Sequence, residues 1–224
     1  AIFNQPVTIL GTQENWLNVK VVDGYTGWIK SKYVENSTWS INPGDYKFKL
    51  VVTAKNKKIY SQAKGGATLK DTVMGTELYA VNRIDNLYHV ALPGRTTGWV
   101  SESGIIQLPV DAHIPKTTAA DMVATAAKFK GTVYLWGGVS ALGLDCSGLT
   151  YICSRVNGVD LPRDADRQYE LGQKVGNDVS LMKEGDLVFF SAKEDLKDIS
   201  HVGIYIGNSQ FIHASKSKGC VTVG

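Results

Sequence analysis

Cysteine is scarce in this sequence: a chain of 224 residues contains only Cys146, Cys153 and Cys220. Three cysteines cannot all pair, and their spacing does not match a metal site, so we expect no disulfide framework. The sequence also lacks an apolar run of roughly 20 residues, the length that spans a membrane, and a charged start with an apolar core that would mark a signal peptide. We therefore expect no membrane span. Because the first residues already alternate as in a β-strand, the missing signal leaves the compartment open.

A large excess of charge is lacking too. There are 24 Lys and Arg residues and 21 Asp and Glu residues, so the net charge is +3. The densest basic run, residues 55–58, is not interleaved with aromatic side chains that could stack on bases. We therefore expect no nucleic-acid partner.

The sequence does contain an internal repeat. Residues 4–30 align without a gap on residues 75–101, and both segments close with Thr-Gly-Trp and an aliphatic residue. Short alternating apolar runs separated by turn residues are typical of β-hairpins. We predict two small β-barrels of about five strands each, the first lacking its opening strand. We expect Trp28 and Trp99 to pack in the barrel cores rather than contact a ligand.

The repeated Thr-Gly-Trp ending resembles that of the bacterial SH3-type domain. The resemblance covers residues 1–36 and 46–108 and implies two SH3-type β-barrels. Residues 109–116 carry two prolines and no periodicity, which indicates a linker. The remaining segment, 117–224, is predicted to be a third domain that ends before all its expected strands are complete.

The segment around Cys146 indicates a reactive thiol at a helix start. Leu149, Ile152, Cys153 and Val156 follow Cys146 at the spacing of one buried helical face, and the residue before Cys146 is an aspartate suited to cap the helix. Unpaired N–H groups and the helix dipole stabilise a thiolate at this position. The alternative is an inert buried cysteine, which is our expectation for Cys153 and Cys220.

Two histidines are expected to lie near each other in the same domain. The alternating segment that starts at His201 turns near residue 208 into a second segment that carries His213, a β-hairpin pattern that puts both imidazoles on one face. With Cys146 as nucleophile, His201 as general base and His213 orienting the base, the arrangement is that of a papain-like cysteine hydrolase. Zinc held by Asp145, Cys146 and the two histidines is the alternative.

Six segments in order resemble the NlpC-type cell-wall cysteine peptidases: "YLWGG", "LDCSGLTYIC", "LPRDADRQYELG", "GDLVFF", "ISHVGIYIG" and "FIHAS". The match runs from about residue 130 to 215. It implies an α+β, papain-like domain in which a helix bearing Cys146 packs on an antiparallel sheet bearing His201 and His213. The implied reaction is cleavage of the bond between γ-D-glutamate and a diamino acid in peptidoglycan peptides through an acyl-enzyme, with no metal and no cofactor.

Two SH3-type units ahead of such a domain resemble, more narrowly, the γ-D-glutamyl-L-diamino acid endopeptidases. These act on peptides with a free N-terminal L-alanine, and their first SH3-type domain closes one end of the cleft. The residues that this resemblance assigns to substrate binding are Asp145, Ser147, Trp136, Tyr33 and Arg163.

Most of these assignments have an alternative. Asp145 meets the substrate ammonium or only caps the helix, and Trp136 forms a cleft wall or packs in the core. Arg163 is favoured as an ion-pair partner over a substrate ligand, and Tyr25 is as well placed in sequence as Tyr33. Relatives often carry Ser or Thr where this chain has alanine at position 165, so one hydroxyl contact is missing.

The partners implied are peptidoglycan peptides, and we expect a monomer. The resemblance implies the bacterial cell envelope, periplasmic or extracellular, with the cytoplasm left open. The diamino acid, meso-diaminopimelate or lysine, is also left open. The alternative function is hydrolysis of intact peptidoglycan, with the SH3-type domains as wall-binding modules. A wall-binding protein that has lost activity is disfavoured because Cys146, His201 and His213 are all present.

Overall fold

The computed structural model describes residues 1–176, 178–191 and 198–224. Its internal contacts divide the chain into two compact units, residues 1–113 and residues 114–224. Both repeats of the sequence analysis therefore lie in the first unit, and the cysteine and histidines of interest lie in the second. None of the described helices is long and apolar enough to cross a membrane.

The first repeat forms a three-stranded antiparallel sheet in the order β1-β2-β3, with β1 at Val7–Gln13, β2 at Trp16–Val21 and β3 at Thr26–Lys30. The two connections are tight turns, in which Glu14 and Gly24 adopt the left-handed backbone conformation that such turns require. Two 3-10 turns follow, Ser31–Tyr33 and Pro43–Asp45.

The second repeat lies within a seven-stranded antiparallel sheet. Its strands are β4 (Phe48–Val52), β5 (Asn56–Tyr60), β6 (Thr68–Val73), β7 (Glu77–Ile84), β8 (Leu87–Leu92), β9 (Thr96–Ser101) and β10 (Ile105–Leu108), in the order β10-β4-β7-β8-β9-β5-β6. Its buried core includes Leu50, Ile59, Leu78, Val90 and Val100. The strand number differs from our expectation of about five because the repeat supplies only β7, β8 and β9, and flanking segments add the other four.

The expected core position of the two repeat tryptophans is wrong. Trp28 is 52% exposed, and Trp99 is half-buried and stacks on His89 with ring centroids 4.5 Å apart. Gly98 shows which face of β9 lies against the core, because a Cβ atom there would lie 2.4 Å from a side-chain carbon of the core residue Ile59. Successive residues of a strand face opposite sides, so the tryptophan after this glycine points away from the core.

The second unit combines three helices with a four-stranded antiparallel sheet, which confirms the predicted α+β class. In chain order its elements are α1 (Ala119–Ala127), β11 (Val139–Ser140), β12 (Gly143–Leu144), α2 (Cys146–Val156), α3 (Ala165–Tyr169), a 3-10 turn (Val179–Leu181), β13 (Leu187–Ser191), β14 (Ile199–Tyr205), β15 (Phe211–Ser215) and β16 (Cys220–Val223).

The central helix of this unit, α2, is buried nearly all round and packs against β14 and β15 of the sheet β13-β14-β15-β16. Thr118 starts α1 with a capping box, in which its side chain and that of Asp121 each bond to the other's backbone N–H. The unit thus holds one helix end and one sheet face at fixed positions, and the candidate site lies where they meet.

Candidate active site

Cys146 is the first residue of α2. Asp145 occupies the N-cap position, and its carboxylate accepts a hydrogen bond of 2.7 Å from the backbone N–H of Gly148. The thiol residue is 9% exposed, so it is largely withdrawn from solvent. The structure therefore puts the predicted nucleophile at the positive end of a helix, where a thiolate is stabilised.

Close backbone packing fixes this helix start. A Cβ atom on Gly148 would lie 2.0 Å from the carbonyl oxygen of Gly138, so glycine alone fits between α2 and the loop that precedes β11. The same loop donates the N–H of Gly137 to the Asp145 carboxylate at 2.7 Å. The loop of the "YLWGG" segment is thus joined to the residue before the thiol.

His201 and His213 lie on neighbouring antiparallel strands, β14 and β15, with the Nε2 atom of His201 2.6 Å from the Nδ1 atom of His213. Two aromatic rings pack on the pair: Phe190 lies 5.6 Å from the ring of His201, and Phe211 lies 4.8 Å from the ring of His213. The hairpin pattern in the sequence predicts this proximity, and the aromatic rings cover part of the half-buried pair.

The strand that bears His201 also reaches the thiol. The backbone N–H of Val202, the next residue, lowers the pKa of the Cys146 thiol, as do the N–H groups of Cys146 and Ser147. The helix that begins with the candidate nucleophile therefore packs against both strands that carry the histidines. Their catalytic roles are part of the function proposed below.

Electrostatics favour the neutral forms of the thiol and of both imidazoles. Burial raises the pKa of the Cys146 thiol, and the Asp145 carboxylate raises it further, while the three N–H groups lower it. Burial and the neighbouring His213 lower the pKa of His201 to about 4. Burial also lowers the pKa of His213. At neutral pH the base is therefore uncharged and able to accept a proton.

Tyr134 is a candidate site residue that the sequence analysis missed. Burial raises the pKa of its hydroxyl, and so do the negative charges of Cys146 and Asp145, while Arg163 lowers it. Backbone hydrogen bonds hold this segment near the start of α2. The N–H of Tyr134 donates to the carbonyl of Gly219 at 2.7 Å, and the N–H of Leu135 donates to the carbonyl of Leu144 at 3.0 Å. The tyrosine in "YLWGG" was the available signal, but only a contact distant in sequence relates it to the thiol.

Three of the predicted substrate-binding residues form a buried network instead of an exposed surface. Arg163 donates to the Asp145 carboxylate at 2.7 Å and to the Ser147 hydroxyl at 2.9 Å. The exposed fractions of Asp145, Ser147 and Arg163 are 6%, 6% and 7%. These contacts support the helix-cap interpretation of Asp145 and the ion-pair interpretation of Arg163. The polar groups that could bind a substrate ammonium or peptide are already hydrogen-bonded to one another.

Gln168 extends this network. Its side-chain amide donates to the carbonyl oxygens of Ser147 at 3.1 Å and Pro162 at 2.8 Å, and it accepts from the Thr150 hydroxyl at 2.7 Å. Gln168 is buried, with 1% of its surface exposed. The segment "LPRDADRQ" therefore braces the first turn of α2 from the side.

The remaining predicted residues are exposed. Trp136 is 83% exposed, which rules out the core alternative, and Tyr33 and Tyr25 are 68% and 49% exposed. The tyrosines lie in the first unit, so their place at the cleft stays a prediction. Cys153 is fully buried and burial raises the pKa of its thiol, which fits an inert residue. Within the ranges that the structure describes, no three His, Cys, Asp or Glu side chains form a metal-binding group.

Comparison with known proteins identifies two domain types in the chain. Residues 131–223 match the NlpC/P60 family, and residues 2–35 match the bacterial SH3 domain. The chain belongs to the NlpC/P60 family of peptidoglycan hydrolases, and it is an enzyme of the cysteine-peptidase type.

Particular relatives span most of the chain. It is 31% identical to the γ-D-glutamyl-L-lysine dipeptidyl-peptidase of Bacillus subtilis, over 96% of this chain and 71% of that protein. It is 27% identical to the protein of that name from Bacillus cereus, over 100% of this chain and 68% of that protein. The crystal structure of an NlpC/P60 family protein from Bacillus cereus is similar with a TM-score of 0.88 and 26% identity, covering 100% of this chain and 75% of that chain.

Proposed function

We propose that this protein cleaves the bond between γ-D-glutamate and a diamino acid in short peptidoglycan peptides that carry a free N-terminal L-alanine. The observation that supports this most is that α2, which begins with Cys146, packs against the two strands that carry the hydrogen-bonded pair of His201 and His213. The names of two relatives that span most of the chain give the same bond, with lysine as the diamino acid.

The first step that we infer is transfer of the thiol proton to His201 as the sulfur attacks the γ-glutamyl carbonyl carbon. His201 accepts this proton on Nδ1, so its Nε2 must carry hydrogen and donate to Nδ1 of His213. The low pKa of His201 keeps it neutral and ready at pH 7. His213 therefore fixes the tautomer of the base.

The attack forms a carbon–sulfur bond and places negative charge on the carbonyl oxygen. Backbone N–H groups at the start of α2 and the Tyr134 hydroxyl are the donors that we assign to this oxyanion. His201 then gives its proton to the diamino acid nitrogen as the carbon–nitrogen bond breaks. Water, deprotonated by His201, attacks the thioester and releases the peptide acid and the thiol.

Recognition of the free amine needs a carboxylate that is still open to a ligand. Asp145 is buried and already accepts from two backbone N–H groups and Arg163. Asp164, beside Arg163, is half-buried and its side chain makes no capping bond to α3. We therefore assign the substrate ammonium to Asp164 rather than to Asp145. The exposed indole of Trp136 is assigned to a wall of the cleft.

Two matched peptides test the proposal. The protein is incubated with L-Ala-γ-D-Glu-diaminopimelate and its lysine counterpart, each with a free or an acetylated alanine nitrogen, and release of the diamino acid is followed by mass spectrometry. We expect cleavage of the free-amine peptides, little cleavage of the acetylated ones and none by Cys146→Ala. Asp164→Asn should erase the preference for the free amine, whereas Lys183→Gln, at an exposed position of the same unit, should keep it.

The outcomes separate the candidate functions. Equal cleavage of free and acetylated peptides, together with release from intact sacculi, would favour the wall hydrolase. Cleavage that survives Cys146→Ala would refute the cysteine mechanism, and no cleavage of any peptide by the wild-type protein would refute the proposed substrate.

A further inference from the structure

A buried ion pair lies directly behind the candidate nucleophile. The side chains of Asp145 and Arg163 are 9% and 8% exposed, and the guanidinium donates to the carboxylate at 2.7 Å. The same guanidinium donates to the Ser147 hydroxyl at 2.9 Å and to the Gly138 carbonyl at 3.3 Å. One side chain thus contacts the residues on both sides of Cys146 and the loop that packs against them.

The charge of Asp145 opposes the reaction. A carboxylate adjacent to a thiol disfavours the thiolate through like-charge repulsion, and this repulsion is strong in a buried site. Asp145 is nevertheless well suited to its position as helix cap, because it accepts the N–H of Gly148 and of Gly137. A positive charge next to the carboxylate weakens its repulsion of a thiolate, so Asp145 can cap the helix without strongly disfavouring ionisation of the thiol.

The charged and titratable groups around the thiol are few in the part of the chain that the structure describes. They are Asp145 and Arg163 behind the helix start, Tyr134 on the neighbouring segment, His201 on β14 and, through His201, His213 on β15. Since both histidines are neutral at pH 7, Arg163 is the cation among them.

We propose that Arg163 is a positioning residue for the nucleophile: it fixes the first turn of α2 through Asp145 and Ser147, and its charge offsets the Asp145 carboxylate beside the Cys146 thiol. The inference rests on the proposed role of Cys146. The planar guanidinium suits this role because it bonds a carboxylate, a hydroxyl and a carbonyl at once, which a lysine ammonium on a flexible chain cannot reproduce in the same geometry.

The test measures the thiol itself. The rate at which iodoacetamide alkylates Cys146 is followed from pH 6 to about pH 12, because the pKa of this thiol is already raised in the wild type. The modified peptide is identified by mass spectrometry so that Cys153 and Cys220 do not interfere. In Arg163→Met we expect the midpoint of this profile to move to higher pH, with alkylation at pH 7 slowed about tenfold, which corresponds to one pKa unit. The rate at the alkaline plateau should stay near that of the wild type, because the ionised thiol is the same nucleophile.

Further variants separate charge from folding. Arg163→Lys should restore most of the midpoint while peptide cleavage remains impaired. Arg163→Met combined with Asp145→Asn should return the midpoint to near the wild-type value, because both charges are gone and asparagine still caps a helix. Arg167→Met is the matched control, since this exposed arginine of α3 pairs with Glu170 and should change neither readout.

Two results would overturn the inference. The first is an unchanged midpoint in Arg163→Met with thermal unfolding equal to that of the wild type. The second is a uniform loss of alkylation at every pH that Asp145→Asn does not reverse, because that result indicates a purely structural role. Alkylation needs no substrate, so a failure of the proposed peptidase function would appear in the Cys146→Ala cleavage assay instead.

Discussion

At the residue scale, the surroundings of His201 and His213 favour the neutral form of both imidazoles. Burial among Phe190 and Phe211 and the proximity of His213 lower the pKa of His201 to about 4. Burial raises the pKa of Cys146. At pH 7 the site therefore holds a thiol and a neutral imidazole. In the mechanism that we propose, the proton moves during attack instead of beforehand.

This electrostatic state predicts the pH dependence of peptide cleavage. His201 must be neutral to accept a proton, so the acid limb of kcat/KM should fall near pH 4, below the ordinary histidine value of about 6.5. In His213→Gln the limb should move to higher pH, because a neighbouring imidazole no longer disfavours the imidazolium, yet it should stay below 6.5 because burial remains. The pH profile of cleavage by each variant checks this.

His89→Gln is the control for that experiment, since His89 lies in the first unit and should leave the profile unchanged. A wild-type acid limb at pH 6 or above would contradict the assignment of a neutral resting pair. So would a limb in His213→Gln identical to that of the wild type.

At the element scale, the start of α2 is fixed by backbone contact rather than by hydrophobic packing alone. Gly148 lies directly against the carbonyl oxygen of Gly138, and Gln168 and Arg163 bond to the Ser147 carbonyl and hydroxyl. The loop, the helix and the segment before α3 are therefore joined at a single turn. A shift of any one of them moves the sulfur relative to His201.

Gly148→Ala tests this contact between the helix and the loop. The added methyl group cannot fit 2.0 Å from a carbonyl oxygen, so the loop or the helix must move. We expect a loss of about 1–3 kcal/mol in the free energy of unfolding, as for overpacked cores. A displacement of about 1 Å at the reacting atoms lowers the rate roughly a hundredfold, so kcat/KM should fall by at least that factor.

Ser154→Ala is the matched substitution in the same helix, because Ser154 is equally buried but remote from the first turn. It should leave kcat/KM within about twofold of the wild type, since alanine is a strong helix former. If Gly148→Ala cleaved the peptide at the wild-type rate, the contact between Gly148 and Gly138 would not position the thiol.

At the scale of the whole molecule, two units of nearly equal length have separate interiors. The first is held by the core of the seven-stranded sheet, and the second by α2 and the strands packed on it. The second interior contains the titratable groups of the site, so its stability depends on pH.

The sign of this dependence follows from His201. Its pKa falls from 6.5 to about 4 on folding, so between these values the unfolded chain binds a proton that the folded chain does not. Stability from this group is complete above pH 6.5 and is lost as the pH falls toward 4. We expect the melting temperature to decrease across that window, and to decrease less in His201→Asn. An equal decrease in wild type and variant, measured by thermal unfolding, would contradict this account.

Much of the fold could be predicted from the sequence because the patterns that indicate it are local. The period-two alternation of residues 201–206 and the turn near 208 predict the β14-β15 hairpin, and the spacing after Cys146 predicts α2. Helix caps and hairpins depend on residues a few positions apart, so a single chain reveals them. The error on Trp28 and Trp99 arose from treating a large apolar side chain as core when strand alternation pointed it outward.

By itself, the sequence determined the α+β class, the family, and the helix and hairpin that bear Cys146, His201 and His213. Only the tertiary structure decided what surrounds them: that Arg163 pairs with Asp145, that Cys146 and Asp145 raise the pKa of Tyr134, and that Trp136 is exposed. Arg163 comes from a later segment than Cys146, and the positions of all three residues depend on how α2, the loop before β11 and the sheet pack together. Burial and ion pairing are properties of that packing, so the charge state of the site also follows from the tertiary structure.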